Sequence, residues 1–126
     1  MLRYLLPTLF LCVVTASAQH FDSLMRANGM VDIQQVAPDI RVDLKYATKD
    51  NFIGANMYGQ LRRAYLHPNL AKALARAQQA LTKEHPGYRF LIYDAARPQS
   101  VQRRMYQAVA DTPKKIYVAA PERGGR

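Results

Sequence analysis

From Ile40 to Tyr46 the chain alternates: Ile40, Val42, Leu44 and Tyr46 are apolar, and Arg41, Asp43 and Lys45 between them are charged. A period of two is that of a strand with one buried face, so residues 40–48 are predicted as a strand. Gly54, Asn56 and Gly59 follow within "NFIGANMYGQ" and mark a loop or broken hairpin. From Pro68 the period lengthens. Leu70, Ala73, Leu74, Ala77 and Leu81 recur at helical spacing, Lys72, Arg76, Gln79 and Lys83 lie opposite, and "HPG" at 85–87 stops the pattern. This predicts an amphipathic helix over 68–84 packed by a Leu/Ala stripe. "YRFLIYD", 88–94, reads as a short β-rich run. A second helix is predicted from Pro98, a residue favoured in a first turn, to about Ala110, with Val101, Met105 and Val109 facing inward.

Composition changes this picture little. The chain has 126 residues, 49% hydrophobic and 21% charged, which suits one globular domain. Its first residues are set apart. "MLRYLLPTLFLCVVTASAQ" carries Arg3, an apolar run from Leu5 to Val14 and the small-x-small ending Ala16-Ser17-Ala18, the grammar of a secretory signal peptide cleaved after Ala18. The run is shorter than the roughly 20 residues that span a bilayer, so a lasting membrane anchor is disfavoured. A lipid anchor at Cys12 is disfavoured as well, because Leu9-Phe10-Leu11 offers no small residue before it. The expected mature chain, 19–126, is exported to a periplasm or beyond the cell and contains no cysteine for a disulfide.

Charge is uneven. Residues 19–59 hold four Lys/Arg and five Asp/Glu, whereas 60–126 hold thirteen and four, a balance of −1 against +9. Such a basic half could serve nucleic acid, but export and the lack of any recognition motif argue against that partner. A solvated basic face is the simpler reading.

The densest chemistry lies in "LIYDAARPQS", residues 91–100. Side chains three apart on a strand point to opposite faces, so Asp94 and Arg97 converge only if the strand ends between them. Strand, tight turn and helix start is the implied order, with Ala95 and Ala96 leaving room beside the backbone. One reading of the pair is structural, a tie between strand end and helix start. The other is a catalytic Arg97.

"VDLKYATKDNFIG" at 42–54, followed at helix-plus-strand distance by "LIYDAARPQS", resembles the D-alanyl-D-alanine dipeptidases, zinc enzymes related to the vancomycin-resistance dipeptidase. The likeness covers roughly residues 35–126. It implies an α+β fold, a small antiparallel sheet with flanking helices, and a small dipeptide as substrate. It also implies that Arg97 is the catalytic residue that stabilises the tetrahedral transition state, with Asp94 supporting it. Tyr46 and Asn51 match the motif near the substrate cleft and are expected to bind substrate. Zn(2+) is the cofactor of the full-length family enzyme.

The departures matter equally. The family's Ser-x-His loop and its Glu-x-x-His segment, which hold the metal and the general base, do not occur in this sequence. His20, His67 and His85 are scattered, and His67 and His85 each precede a proline, as helix-boundary residues do. No metal ligand is therefore assigned. The chain stops at "PERGGR", where the family's metal half would begin, so the expectation is a C-terminally incomplete domain, a fragment in preference to a degenerate product. The competing reading is non-catalytic: an exported basic module that holds an anionic cell-wall polymer through Arg97 and the pairs Arg62/Arg63 and Arg103/Arg104. Oligomeric state is not readable.

Overall fold

The computed structural model describes residues 16–123, with side chains from His20 onward. The predicted leader falls almost wholly outside them. The helices are α1 (Ala16–Ala27), α2 (Ile33–Val36), α3 (Pro68–Glu84) and α4 (Gln99–Val109); the strands are β1 (Val31–Asp32), β2 (Arg41–Val42), β3 (Tyr65–Leu66) and β4 (Leu91–Ile92). The class is α+β. β1 pairs antiparallel with β3, in register Val31 to Leu66. β2 pairs with β4, Arg41 to Leu91, and this second pair is parallel. Parallel strands need a long crossover, usually helical, and α3 lies on the path between them.

The alternation read from residues 40–48 survives in burial more than in ladder length. Ile40 and Leu44 are buried while Arg41 and Asp43 face water. β2 bonds onward past Val42, with Asp43 N–H donating to Ile92 O at 2.9 Å and Lys45 N–H to Tyr93 O at 3.0 Å. The chain then tightens into a single turn of 3-10 helix, Lys45–Ala47, before the predicted strand would have ended.

α3 spans the predicted residues, yet its buried face is not the predicted stripe. Ala71 and Gln78 are buried, Leu74 and Ala75 pack partly against the core, and Leu70 is 55% exposed. Gln78 explains the difference. It is only 3% exposed, and its amide donates to Tyr88 O (3.1 Å) and Thr82 Oγ1 (2.9 Å) while accepting from Phe90 N–H (2.8 Å). A hydrophobic pattern counts such a residue as surface, although its polar atoms are fully used inside. The connection it fastens turns at Gly87, whose φ of +89° lies in the left-handed region that glycine enters without a side-chain clash.

α4 buries Val101, Met105 and Val109 as predicted, and Gln102 with them. These residues meet Ile33, Ile40, Tyr58, Leu61, Ala64 and Tyr65 in one core. The N-terminal helix joins through charge as well as packing: Asp22 accepts from Arg63 Nη1 and from Tyr65 OH, both at 2.9 Å, while Met25 is buried.

Candidate active site

After Ile92 the chain leaves β4, runs without helix or strand through Tyr93–Pro98, and enters α4 at Gln99. Two anchors fix this segment. Ala96 N–H donates to Tyr65 O at 2.9 Å, tying it to β3. Pro98 sits just ahead of the helix, and its carbonyl accepts from Val101 and Gln102 N–H. With the strand ended, Asp94 and Arg97 turn to the same side: Arg97 Nη2 lies 2.6 Å from Asp94 Oδ2.

Arg97 is held from three more directions. Its Nε donates to Tyr58 OH at 3.2 Å and its Nη1 to Gln102 Oε1 at 2.7 Å. The Tyr46 ring lies beneath the guanidinium, 4.9 Å from its central carbon to the ring centroid. Tyr58 OH in turn donates to Asp94 Oδ1, so Tyr58, Asp94 and Arg97 form a closed triangle. Gln102 is itself oriented, donating to Ala119 O at 2.7 Å. A guanidinium has five N–H groups. Three have partners among the described residues, which leaves one on each terminal nitrogen.

Of these groups Asp94, Arg97 and Gln102 stand on the wall of a cavity of about 400 Å³, lined also by Ala95, Ala96 and Tyr117, with Tyr46 and Tyr58 behind the wall. The two alanines keep the wall low where a ligand would approach the backbone. Burial opposes the charge on Arg97, but the hydrogen bond with Tyr58 and the Asp94 carboxylate outweigh it and hold the group above the ordinary arginine value. Burial first, and then the bond to Asp94, push the Tyr58 phenol well above the ordinary tyrosine range. The cluster therefore holds a cationic arginine beside a neutral phenol throughout the neutral range.

The other expected site residues divide. Tyr46 stands within the cluster, its ring also meeting Phe52 edge-on at 6.1 Å and Tyr58 at 5.9 Å. Asn51 is occupied elsewhere. Its Nδ2 donates to Lys45 O, Thr48 O and Ala55 O at 2.8–3.1 Å, and its Oδ1 accepts from Ile53 and Gly54 N–H at 3.0 and 3.1 Å. These five bonds pin the loop that carries Tyr46 and Phe52, and they leave no group of Asn51 free for a ligand. Tyr58 and Gln102 were not singled out from sequence. Gln102 carried a usable signal, a polar residue inside the apolar stripe of α4; Tyr58 sits in an aperiodic loop and carried none.

No group of three or more His, Cys, Asp or Glu that could hold a metal ion is gathered among the described residues. His67 caps the start of α3, its side chain accepting from Asn69 N–H at 3.3 Å, and His85 closes the same helix. The described side chains do not fit a zinc site.

Residues 26–124 match the sequence profile of the family described as Peptidase_M15, D-ala-D-ala dipeptidase. Over 82 residues the chain is 38% identical to a D-alanyl-D-alanine dipeptidase of Escherichia coli (strain K12), an overlap covering 65% of this chain and 41% of that relative. The match thus spans less than half the length of the relative.

Proposed function

The chain belongs to the D-Ala-D-Ala dipeptidase family, Peptidase_M15, and from that membership we propose that it supplies the substrate cleft and oxyanion-stabilising arginine for hydrolysis of D-alanyl-D-alanine or a similar cell-wall-derived dipeptide. The observation that carries this reading is Arg97: charged, fixed by three hydrogen-bond partners, and set on a cavity wall with two N–H groups to spare. Peptide hydrolysis passes through a tetrahedral species whose former carbonyl oxygen becomes anionic. A planar cation already held in place stabilises that oxygen without reorganising as the charge develops. The cavity volume, about 400 Å³, falls in the range of small-molecule sites, roughly 300–1,000 Å³.

Asp94 and Gln102 hold the guanidinium, and the Tyr46 face supports it from below. The zinc ion that the resemblance implies finds no ligand set among the described residues. What these residues contribute is the electrostatic part of the reaction, not the activation of water, and the 126-residue chain by itself is proposed to be inactive. The leader-like N-terminus supports an exported protein that meets dipeptides released from the cell wall. Among the described residues no helix is long and apolar enough to cross a membrane.

Binding of an anionic polymer is less well supported. Arg62 donates to Gly59 O and Leu61 O, Arg63 pairs with Asp22, Arg104 donates to Met57 O, and Arg97 is clamped as described. Four of the five arginines that such a polymer would use are thus engaged internally.

The test is titration of the full chain with a phosphinate analogue of D-Ala-D-Ala, whose tetrahedral anion copies the oxyanion. Backbone signals of Ala95, Ala96 and Gln102 are expected to shift, the phosphinate to bind more tightly than the dipeptide, and Arg97→Ala and Arg97→Lys each to lose that preference. Equal binding by wild type and Arg97→Ala would overturn the assignment.

A further inference from the structure

We propose that Tyr58 is a positioning residue for Arg97: its hydroxyl, accepting from Arg97 Nε and donating to Asp94, fixes the guanidinium so that the two remaining N–H groups are presented for an anion. The proposal rests on the oxyanion reading of Arg97, although its first measurement does not.

A guanidinium only donates, and a carboxylate only accepts. A hydroxyl does both, and so it can sit between them and close the triangle Tyr58–Asp94–Arg97. A phenylalanine would fill the same space and break two sides of that triangle.

Sequence distance makes Tyr58 different from the other two partners. Asp94 and Gln102 lie three and five residues from Arg97, on the same stretch of chain, whereas Tyr58 is 39 residues away. If the 94–102 segment shifts, Asp94 can shift with it, and Gln102, although tied to Ala119 O, is carried on the same stretch. Tyr58 cannot shift with that segment. It is 1% exposed, its N–H donates to Tyr46 O at 3.0 Å, and its ring packs on Tyr46 with centroids 5.9 Å apart. The core therefore sets where its hydroxyl lies, independently of Arg97. Asp94, by contrast, has a side chain 35% exposed and is steadied by Ala95 N–H and by Tyr58 itself. Among hydrogen-bond partners, Tyr58 is what registers the arginine against the body of the domain.

The measurement is water exchange of the Arg97 Nε–Hε proton by nitrogen-15 NMR on the full chain, the signal being assigned by its loss in Arg97→Lys. Wild type is expected to protect this proton, and Tyr58→Phe to exchange it at least tenfold faster while the backbone spectrum keeps its dispersion. Asp94→Asn tests the same triangle from a partly exposed position and guards against a Tyr58 variant that does not fold; with one acceptor oxygen in place of two, it too is expected to speed exchange. In parallel, affinity for the phosphinate dipeptide should fall about tenfold in Tyr58→Phe and affinity for the unreacted dipeptide much less. Unchanged Nε–Hε exchange in the folded variants overturns the proposal, and so does faster exchange with undiminished phosphinate binding. Faster exchange in a chain whose wild type binds no phosphinate supports the hold of Tyr58 on Arg97 and overturns the oxyanion reading instead.

Discussion

Asn51→Ala is expected to cost stability and to leave the chemistry of the cleft intact. The amide of Asn51 has five partners: its two N–H groups are shared among three carbonyls, and its oxygen accepts from two N–H groups. Net values for such bonds run from about 0.5 to 1.5 kcal/mol, and the low end applies here because water can replace partners in a loop that is partly exposed. Two donated and two accepted bonds at about 0.5 kcal/mol each come to about 2 kcal/mol. For a domain near 100 residues each kcal/mol moves the midpoint by about 4–8 °C, so Asn51→Ala should melt about 8–16 °C below wild type. Differential scanning calorimetry measures the midpoint, and titration with the phosphinate dipeptide well below it measures the site. If Asn51 only pins the loop, the folded variant binds the analogue nearly as wild type does. A midpoint within about 3 °C of wild type, well short of the shift worked above, together with lost binding, would refute this reasoning and return Asn51 to the substrate.

Two further outcomes are expected. Gln78→Ala removes the partner of the half-buried Phe90 N–H and of the Tyr88 carbonyl, at about 1–2 kcal/mol; urea denaturation should show it as a lower midpoint, and an unchanged midpoint would mean that water enters the gap. Tyr58 should make the fold sensitive to alkali. Its folded-state pKa is raised, so above about pH 10, the ordinary tyrosine value, the unfolded chain releases a proton that the folded chain still holds, and stability present below that pH is lost as pH rises. Tyr58→Phe should flatten the loss, and identical alkaline slopes for the two proteins would contradict it.

What could be read from sequence tracks how local each cause is. α3 and α4 were legible because capping and period are local: Pro68 and the "HPG" stop bracket one helix, and Val101, Met105 and Val109 mark the inner face of the other. The strands were legible in burial but not in extent, because ladder length depends on the partner. β2 pairs with residues some 50 positions away and then meets a tight turn held by Asn51, a constraint that no alternation expresses. The parallel sense of β2 and β4 is likewise a property of the crossover and not of either strand. The burial of Gln78 is invisible to the pattern for the same reason: its partners, Tyr88 and Phe90, lie beyond the helix.

The same rule sorts the site. Asp94 and Arg97 could be paired on paper because a strand that ends between them leaves three residues to turn, and the ion pair forms as that geometry requires. The question left open there, structural tie or catalytic group, is reframed by Tyr58 and Gln102. A tie between strand end and helix start needs one carboxylate and one guanidinium. It does not need a buried phenol brought from a distant loop, a glutamine fastened in turn to Ala119 O, and an aromatic face beneath, all converging on one side chain at a cavity wall. Each partner removes freedom from Arg97 at a cost in conformational entropy, and the local tie is already made at 2.6 Å without them. Extra restraint has a use if the orientation of the remaining N–H groups matters, as it does for a group that must meet a developing charge without moving.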